Sequence, residues 1–236
     1  MWTPAELASE AHSAGGVAWR VVEHQYTVST RKVVDTLAEQ ELLEAILDAS
    51  KPPYLPGTEG LHYLLKTPFR YPPSPYGSRF RRPFEGNGVF YGAEALRSSL
   101  AELAYWRQRF LAASPGTPFP ANQELLTAFS VSYGSERQLD LTREPLVRDR
   151  AAWTHPTEYS ATQSLAAVAR QAGIQTLRYE SVRDALHGAN LALLVPTVFT
   201  DPDPLTEQTW YLYVGPSEVS CTRPDRSDAF TFPALQ

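Results

Sequence analysis

Eight of the twenty prolines in this 236-residue chain fall between residues 51 and 88, and that density constrains the fold more than any other feature. Proline locks φ and has no backbone donor, so it stops helices and is excluded from central strands. The stretch must therefore run as a long irregular connection between regular elements. A segment of this kind inside a compact domain is functional or disordered far more often than incidental. Within it, "RYPPSPYGSRFRRPFEGNGVFYG" (Arg70 to Gly92) carries four arginines, four prolines and four glycines, and it does so in a chain of net charge −5. Arg79, Arg81 and Arg82 are thus concentrated against an acidic background.

The flanking segments read as a mixture of helices and strands. A valine-rich strand is expected around Val17–Val22. "TLAEQELLEAILDAS" has capping-box spacing at Thr36 and Glu39 and an apolar stripe of Leu42, Leu43, Ile46 and Leu47, which predicts a scaffold helix. "GVFYGA" (88–93) is a short buried strand. Residues 93–114 are helical, with Leu96, Leu100, Leu103, Arg107, Phe110 and Leu111 along one side. "TAFSVSYG" (127–134) alternates like a strand. A second capping box, Ser160 and Gln163, opens a helix that ends at Gly173. "IQTLRY" is a strand, "ESVRDALHGAN" a loop and "LALLVPTVF" a strand; "WYLYV" and "DAFTF" supply edge strands after residue 200. No βαβα rhythm and no repeat is present, so the expected class is α+β, as one domain over 1–236 with a C-terminal extension at 201–236.

Several functions are disfavoured by composition. Apolar residues make up 43 %, enough for a core without covalent staples. The acidic balance argues against bulk nucleic-acid binding. Cys221 is the lone cysteine, so no intrachain disulfide can form, which fits a reducing cytoplasm. The histidines at 12, 24, 62, 155 and 187 have no metal-ligand spacing. No apolar run is long enough to span a bilayer, and the N-terminus lacks the basic start and apolar segment of a signal peptide. The expectation is a cytoplasmic protein without a metal, a cofactor or a membrane contact.

Three stretches can carry chemistry. "GNGVFYG" is one residue off the dinucleotide fingerprint and runs into a strand, so it does not fit that motif. Arginines at a Gly-rich turn still suit a phosphate, which their planar fork of donors binds bidentately. A solvated basic loop or a nucleic-acid footprint are the other readings of Arg79–Arg82. Glu102 lies off the leucine stripe of its helix, beside Ala95 and Trp106, with no cation four residues on. A carboxylate against such a flank is a candidate functional acid. Tyr91 ends a strand just before this helix and can stack on a planar ring if it faces a pocket. Finally, "YESVRDALHGAN" gathers Ser181, Arg183, Asp184 and Asn190 in one loop. It contains no G-x-S-x-G, so Ser181 is not a hydrolase nucleophile by motif.

Taken in order, "GSRF" (77–80), "GVFYGAEALRSSLAEL" (88–103), "EYSATQSLA" (158–166), "RYESVRD" (178–184) and "NLALL" (190–194) resemble the RES domain family over about residues 64–200. The resemblance places Arg79, Tyr91, Glu102 and Ser181 at the family's active-site positions. It implies an ADP-ribosyltransferase-like fold and a toxin that cleaves NAD, as substrate rather than cofactor, at the nicotinamide–ribose bond. An Xre-type helix-turn-helix antitoxin is the implied partner, and a homodimer is left open. On this reading Glu102 stabilises the transition state, Arg79 with Arg81 or Arg82 holds the pyrophosphate, Tyr91 packs at the nicotinamide ribose, and Ser181 hydrogen-bonds ribose or amide. Arg183 and Asn190 join the substrate site. The rivals are ADP-ribose transfer to a protein and a non-enzymatic binding module built on Arg79–Arg82.

Overall fold

The computed structural model describes residues 2–24, 34–50, 52–70, 75–86, 88–114 and 116–235. The proline-rich connection holds little regular structure where it is described: a one-turn helix α3 (Tyr63–Lys66), placed after α1 (Pro4–Glu10) and α2 (Leu37–Ala49), and a 3₁₀ turn at Thr67–Phe69. The other helices are α4 (Leu96–Ala112), α5 (Arg150–Trp153) and α6 (Ser160–Gln171). Eight strands alternate with them: β1 (His12–Glu23), β2 (Phe90–Ala93), β3 (Glu124–Asp140), β4 (Thr176–Glu180), β5 (Ala189–Leu193), β6 (Thr206–Val214), β7 (Glu218–Thr222) and β8 (Ala229–Pro233). The class is α+β, as expected.

The long strand β3 organises the sheet. One of its edges pairs antiparallel with β1, from His12 opposite Gln138 to Glu23 opposite Leu126. Its other edge is shared. Residues 124–130 take β6 antiparallel, and Gln138–Asp140 take β4 in parallel. From β4 the sheet continues through β5 to β2, and β2 returns to β1 at Trp19 opposite Ala93. Strands β1, β2, β5, β4 and β3 therefore close into a ring. The C-terminal segment adds the meander β6–β7–β8, in which only β8 is a true edge; β6 lies between β3 and β7.

The two-residue period of the strands divides the core. On β5, Leu191 and Leu193 enter one cluster with Phe90, Phe129 and Val131, whereas Ala192 enters another with Leu139, Leu165, Leu177 and Trp153. On β2 the same alternation buries Phe90 on one side and packs Tyr91 against the other. A third cluster joins α4 to the meander through Leu100, Ala104, Leu126, Trp210 and Phe232.

Four local expectations change. The core face of α4 is not the leucine stripe. Ser98, Ser99, Leu100, Ala101, Ala104 and Gln108 are buried, while Trp106 and Phe110 are 50 % and 64 % exposed. Small residues let the helix approach the sheet closely, and Ser99 Oγ donates to Trp19 O at 2.6 Å. Helix α2 has its capping box, yet none of its described residues is buried, and Leu37, Leu42 and Ile46 stand in the open. It adds no buried side chain to the described core, unlike the scaffold helix expected. Helix α6 has no side-chain cap. Gln163 points elsewhere, as described below, and Glu158 accepts from Ser160 N instead. The strand at "LALLVPTVF" stops at Leu193, and Pro196, with no N–H to donate, opens a 3₁₀ turn through Val198. Among the described residues no helix is long and apolar enough to cross a membrane.

Candidate active site

The arginine stretch is a tight, heavily braced turn. Ser78 N donates to Arg81 O at 2.7 Å, and Arg81 N returns the bond to Ser78 O at 3.3 Å. Gly77 sits at φ +59°, where a Cβ would lie 2.7 Å from Arg81 O, so only glycine fits. Gln163 Nε2 donates to both Ser78 O (2.9 Å) and Arg81 O (3.2 Å). The side chain that the spacing assigned to a helix cap thus fixes the turn. Tyr91 braces it from below: its hydroxyl accepts from Phe80 N at 3.0 Å and shares a 2.8 Å bond with Ser78 Oγ. Burial raises the Tyr91 pKa above the usual phenol value, so the hydroxyl keeps its proton. Phe80 is fully buried, edge-on to Tyr179 with ring centres 4.9 Å apart.

This geometry separates the three arginines. Arg79 Nη1 donates to Trp153 O at 2.7 Å, and its guanidinium lies 4.7 Å from the centre of the Tyr159 ring. Arg81 is 8 % exposed and turns its Nε to Glu85 O at 2.9 Å. Arg82 reaches Ser164 Oγ at 3.4 Å. A cavity of about 860 Å³ opens beside the turn, and of the three only Arg79 lines it. Arg81 and Arg82, either of which was expected to aid Arg79, do not line it. Arg81 is held by the turn itself, and Arg82 reaches out to α6. The other cations of the cavity are Arg183, expected, and Arg20 and Arg107, which the sequence reading did not place there. Arg20 comes from β1, far from every motif; its Nη1 donates to Tyr91 O at 3.3 Å.

Glu102 lines the same cavity from α4. Its Oε1 accepts from Ser181 Oγ at 2.9 Å and from Asn190 Nδ2 at 2.7 Å. Its Oε2 has no hydrogen-bond partner among the described residues. Asn190 also lines the cavity, and its Oδ1 is buried without a partner. Ser181 is fully buried and does not line the cavity, so it sits behind Glu102 rather than beside a ligand. Its Oγ accepts from Arg183 N (3.3 Å) and Asp184 N (3.2 Å), and its N–H donates to Gly188 O at 2.7 Å.

A second carboxylate latches this loop to α4. Asp184 Oδ2 accepts from Ser98 Oγ at 2.7 Å and Oδ1 from Arg97 Nε at 3.0 Å. Burial alone would raise the Asp184 pKa, but the bonds from Ser98, from the backbone of Leu186 and from Arg97 outweigh it and hold the carboxyl below its usual range. Gly188 is required at the loop's end, because a Cβ there would meet Ser98 Oγ at 2.2 Å. Arg183 lies 3.5 Å over the Tyr105 ring and donates to Pro156 O. Tyr179 faces the cavity with its pKa pushed well up by burial and by the nearby Glu102 charge.

The cavity is at the upper end of the ~300–1,000 Å³ typical of small-ligand sites. It combines one held carboxylate, several guanidinium groups and a run of aromatic rings. Tyr159, Tyr179 and Trp106 carry no motif of their own, although "EYSATQ" and "RYESVRD" contain the first two. Among the described residues no group of His, Cys, Asp and Glu is arranged to hold a metal ion.

No curated protein sequence matches the chain. Among solved structures, the crystal structure of the M. tuberculosis MbcT–MbcA toxin–antitoxin complex is similar over 79 % of this chain and 80 % of that one, at 13 % identity and a TM-score of 0.44. The sequence comparison is more extensive in what it identifies. Residues 52–214 match the RES domain, a span that holds the braced turn, Glu102, the 181–188 loop and Asn190, and well over half of the chain: it belongs to the RES domain family.

Proposed function

We propose that the chain cleaves NAD at the nicotinamide–ribose bond and acts as the toxin of a toxin–antitoxin pair. The observation that carries this reading is Glu102: one carboxylate oxygen is anchored by Ser181 and Asn190, the other has no hydrogen-bond partner among the described residues, and the residue lines a cavity that also presents Arg79 and Arg183. The nicotinamide ring of NAD is a cation. When its bond to ribose breaks, the electron pair leaves with the ring and neutralises it, so the leaving group needs no acid. Positive charge then develops on the ribose, as in glycoside cleavage. A pre-positioned carboxylate stabilises that charge without reorganising at the moment of reaction. Glu102 supplies it, and the two donors on Oε1 fix its direction. Water adding at the anomeric carbon loses one proton to solvent and gives ADP-ribose; inorganic phosphate as acceptor gives the 1″-phosphate.

The remaining residues bind and orient. Arg79 and Arg183 suit the pyrophosphate, because each guanidinium offers paired donors to phosphate oxygens. Asn190 Oδ1 is an acceptor waiting for a ribose hydroxyl or the carboxamide N–H₂. Tyr91 acts through the turn that it braces, and Ser181 through Glu102. Unrestrained NAD cleavage would arrest a cell, so an Xre-type antitoxin that covers the cavity is the partner this reading requires. The test is direct: incubate the purified protein with NAD, with and without phosphate, and measure released nicotinamide. Absence of nicotinamide release, together with absence of ADP-ribose binding, would refute the reading.

A further inference from the structure

Helix α4 lays a graded wall along the cavity. Glu102, Leu103, Trp106, Arg107 and Phe110 all line it, at helical spacings of three and four. From Glu102 to Phe110 the helix advances about 12 Å, at ~1.5 Å per residue. One end of this wall holds the carboxylate with Asn190, Arg79 and Arg183 in the same cavity; the other ends on two large aromatic side chains. Trp106 and Phe110 are half or more exposed, so both rings stand open to a planar group entering the cavity. Trp106 is also held in place: its ring stands edge-on to Tyr105, with centroids 5.3 Å apart at 82°, and Tyr105 is itself covered by Arg183 at 3.5 Å. The positively charged middle of the cavity is thus linked by packing to the aromatic end.

We propose that Trp106, with Phe110, is the platform on which the second base of a dinucleotide substrate stacks, and that it sets the preference for a dinucleotide over a mononucleotide. The inference rests on the proposed cleavage of NAD. With the scissile ribose at Glu102 and the phosphates at the arginines, the far base falls along α4, toward the Trp106 and Phe110 rings. Stacking on an aromatic ring is indifferent to hydrogen-bonding pattern. The platform therefore selects for the presence of a second planar base rather than for its identity.

The test compares NAD with nicotinamide mononucleotide, which carries the scissile bond but no second base. Trp106→Ala should raise KM for NAD by roughly 5- to 150-fold, the range that base–aromatic stacking spans, with kcat little changed. The same substitution should leave kcat/KM for the mononucleotide within about twofold. Phe110→Ala should follow with a smaller shift, and Trp106→Phe, which keeps a ring, should recover most of the NAD affinity. ADP-ribose binding to Glu102→Gln protein, measured by calorimetry with and without Trp106→Ala, gives the same comparison without turnover. An unchanged NAD KM in Trp106→Ala, or an equal loss for both substrates, overturns the platform while leaving NAD cleavage standing. A wild-type protein that neither releases nicotinamide nor binds ADP-ribose overturns both.

Discussion

Removing the Ser181 hydroxyl separates a residue that touches substrate from one that holds the residue that does. Ser181→Ala deletes three hydrogen bonds at once: the 2.9 Å donation to Glu102 Oε1, and acceptance from Arg183 N and Asp184 N. The Asp184 N–H is buried and has no other partner in the loop, so leaving it unsatisfied costs about 1–3 kcal/mol of stability. The loop stays latched by Asp184 to Ser98 and Arg97, so the protein should fold with a lowered urea midpoint and an unchanged m-value. In catalysis, Glu102 keeps only its Asn190 anchor. A hydrogen bond to a charged group is worth about 1.5–3 kcal/mol; if most of that is felt in the transition state, kcat falls roughly 10- to 150-fold. Because Ser181 is fully buried and absent from the cavity wall, KM for NAD should hold. Urea melts and steady-state nicotinamide release on the same preparation measure both halves. A Ser181→Ala protein with normal kcat and a raised KM would show that the hydroxyl contacts substrate, and the positioning argument would fail.

Other perturbations test the rest of the site. Glu102→Gln keeps shape and both anchoring contacts but removes the charge, and should lower kcat by about 100-fold or more in a folded protein; full turnover would remove Glu102 from the mechanism. Arg79→Lys loses the bidentate fork and should raise KM for NAD, whereas Arg82→Ala should leave KM unchanged and Arg81→Ala should register as lost thermal stability, because Arg81 braces the turn. Equal KM effects at all three would mean a diffuse field rather than one contact. The depressed Asp184 pKa makes the latch acid-sensitive. Its contribution is fully present above the unfolded value of 3.8 and is lost as pH falls through the lower folded value. Wild type and Asp184→Asn should therefore differ in Tm by a constant amount above about pH 4 and converge below it; a gap that persists to the lowest pH would show that charge is not what Asp184 contributes.

How much of this was legible in the sequence depends on the kind of signal each residue carries. Element types came through wherever a period or a terminator was strong, as in the Thr36–Glu39 capping box and Gly173 at the end of α6. Glu102 was only suggestive from its pattern, since a carboxylate off the apolar stripe with no cation four residues on is also what a solvated helix face shows, and it was the family resemblance that singled it out. Pairings over long sequence distances left no trace. Nothing local in "GVAWRVVE" marks Arg20 as a cavity residue, since its place follows from β1 lying against β3, more than a hundred residues away. The α4 face was misjudged for a related reason: serine and alanine look polar or neutral on a helical wheel, yet they are what permits close approach to a sheet. The Gln163 spacing was correctly noticed and wrongly assigned, because a capping box and a long-range brace demand the same residue. Among the neighbouring arginines the resemblance singled out Arg79, and the geometry, with Arg79 alone of the three lining the cavity, agrees.

The closed ring also has a consequence in time. β1 is the first strand to leave the ribosome, and its main partner, β3, begins only at Glu124. At ~5–20 residues per second, roughly 5–20 s of synthesis separate the two. Through that interval β1 has only the short β2 to pair with, at Trp19, and the rest of it is a ribbon of unpaired backbone donors and acceptors. The anchors for Glu102 arrive later still, Ser181 just after β4 and Asn190 on β5, the strand that joins β4 to β2. A ribosome-bound chain therefore carries Arg20, Arg79, Arg107 and Glu102 itself well before it carries Ser181 and Asn190, the two residues that hold that carboxylate, and the cavity is assembled only after β5 has joined β4 to β2.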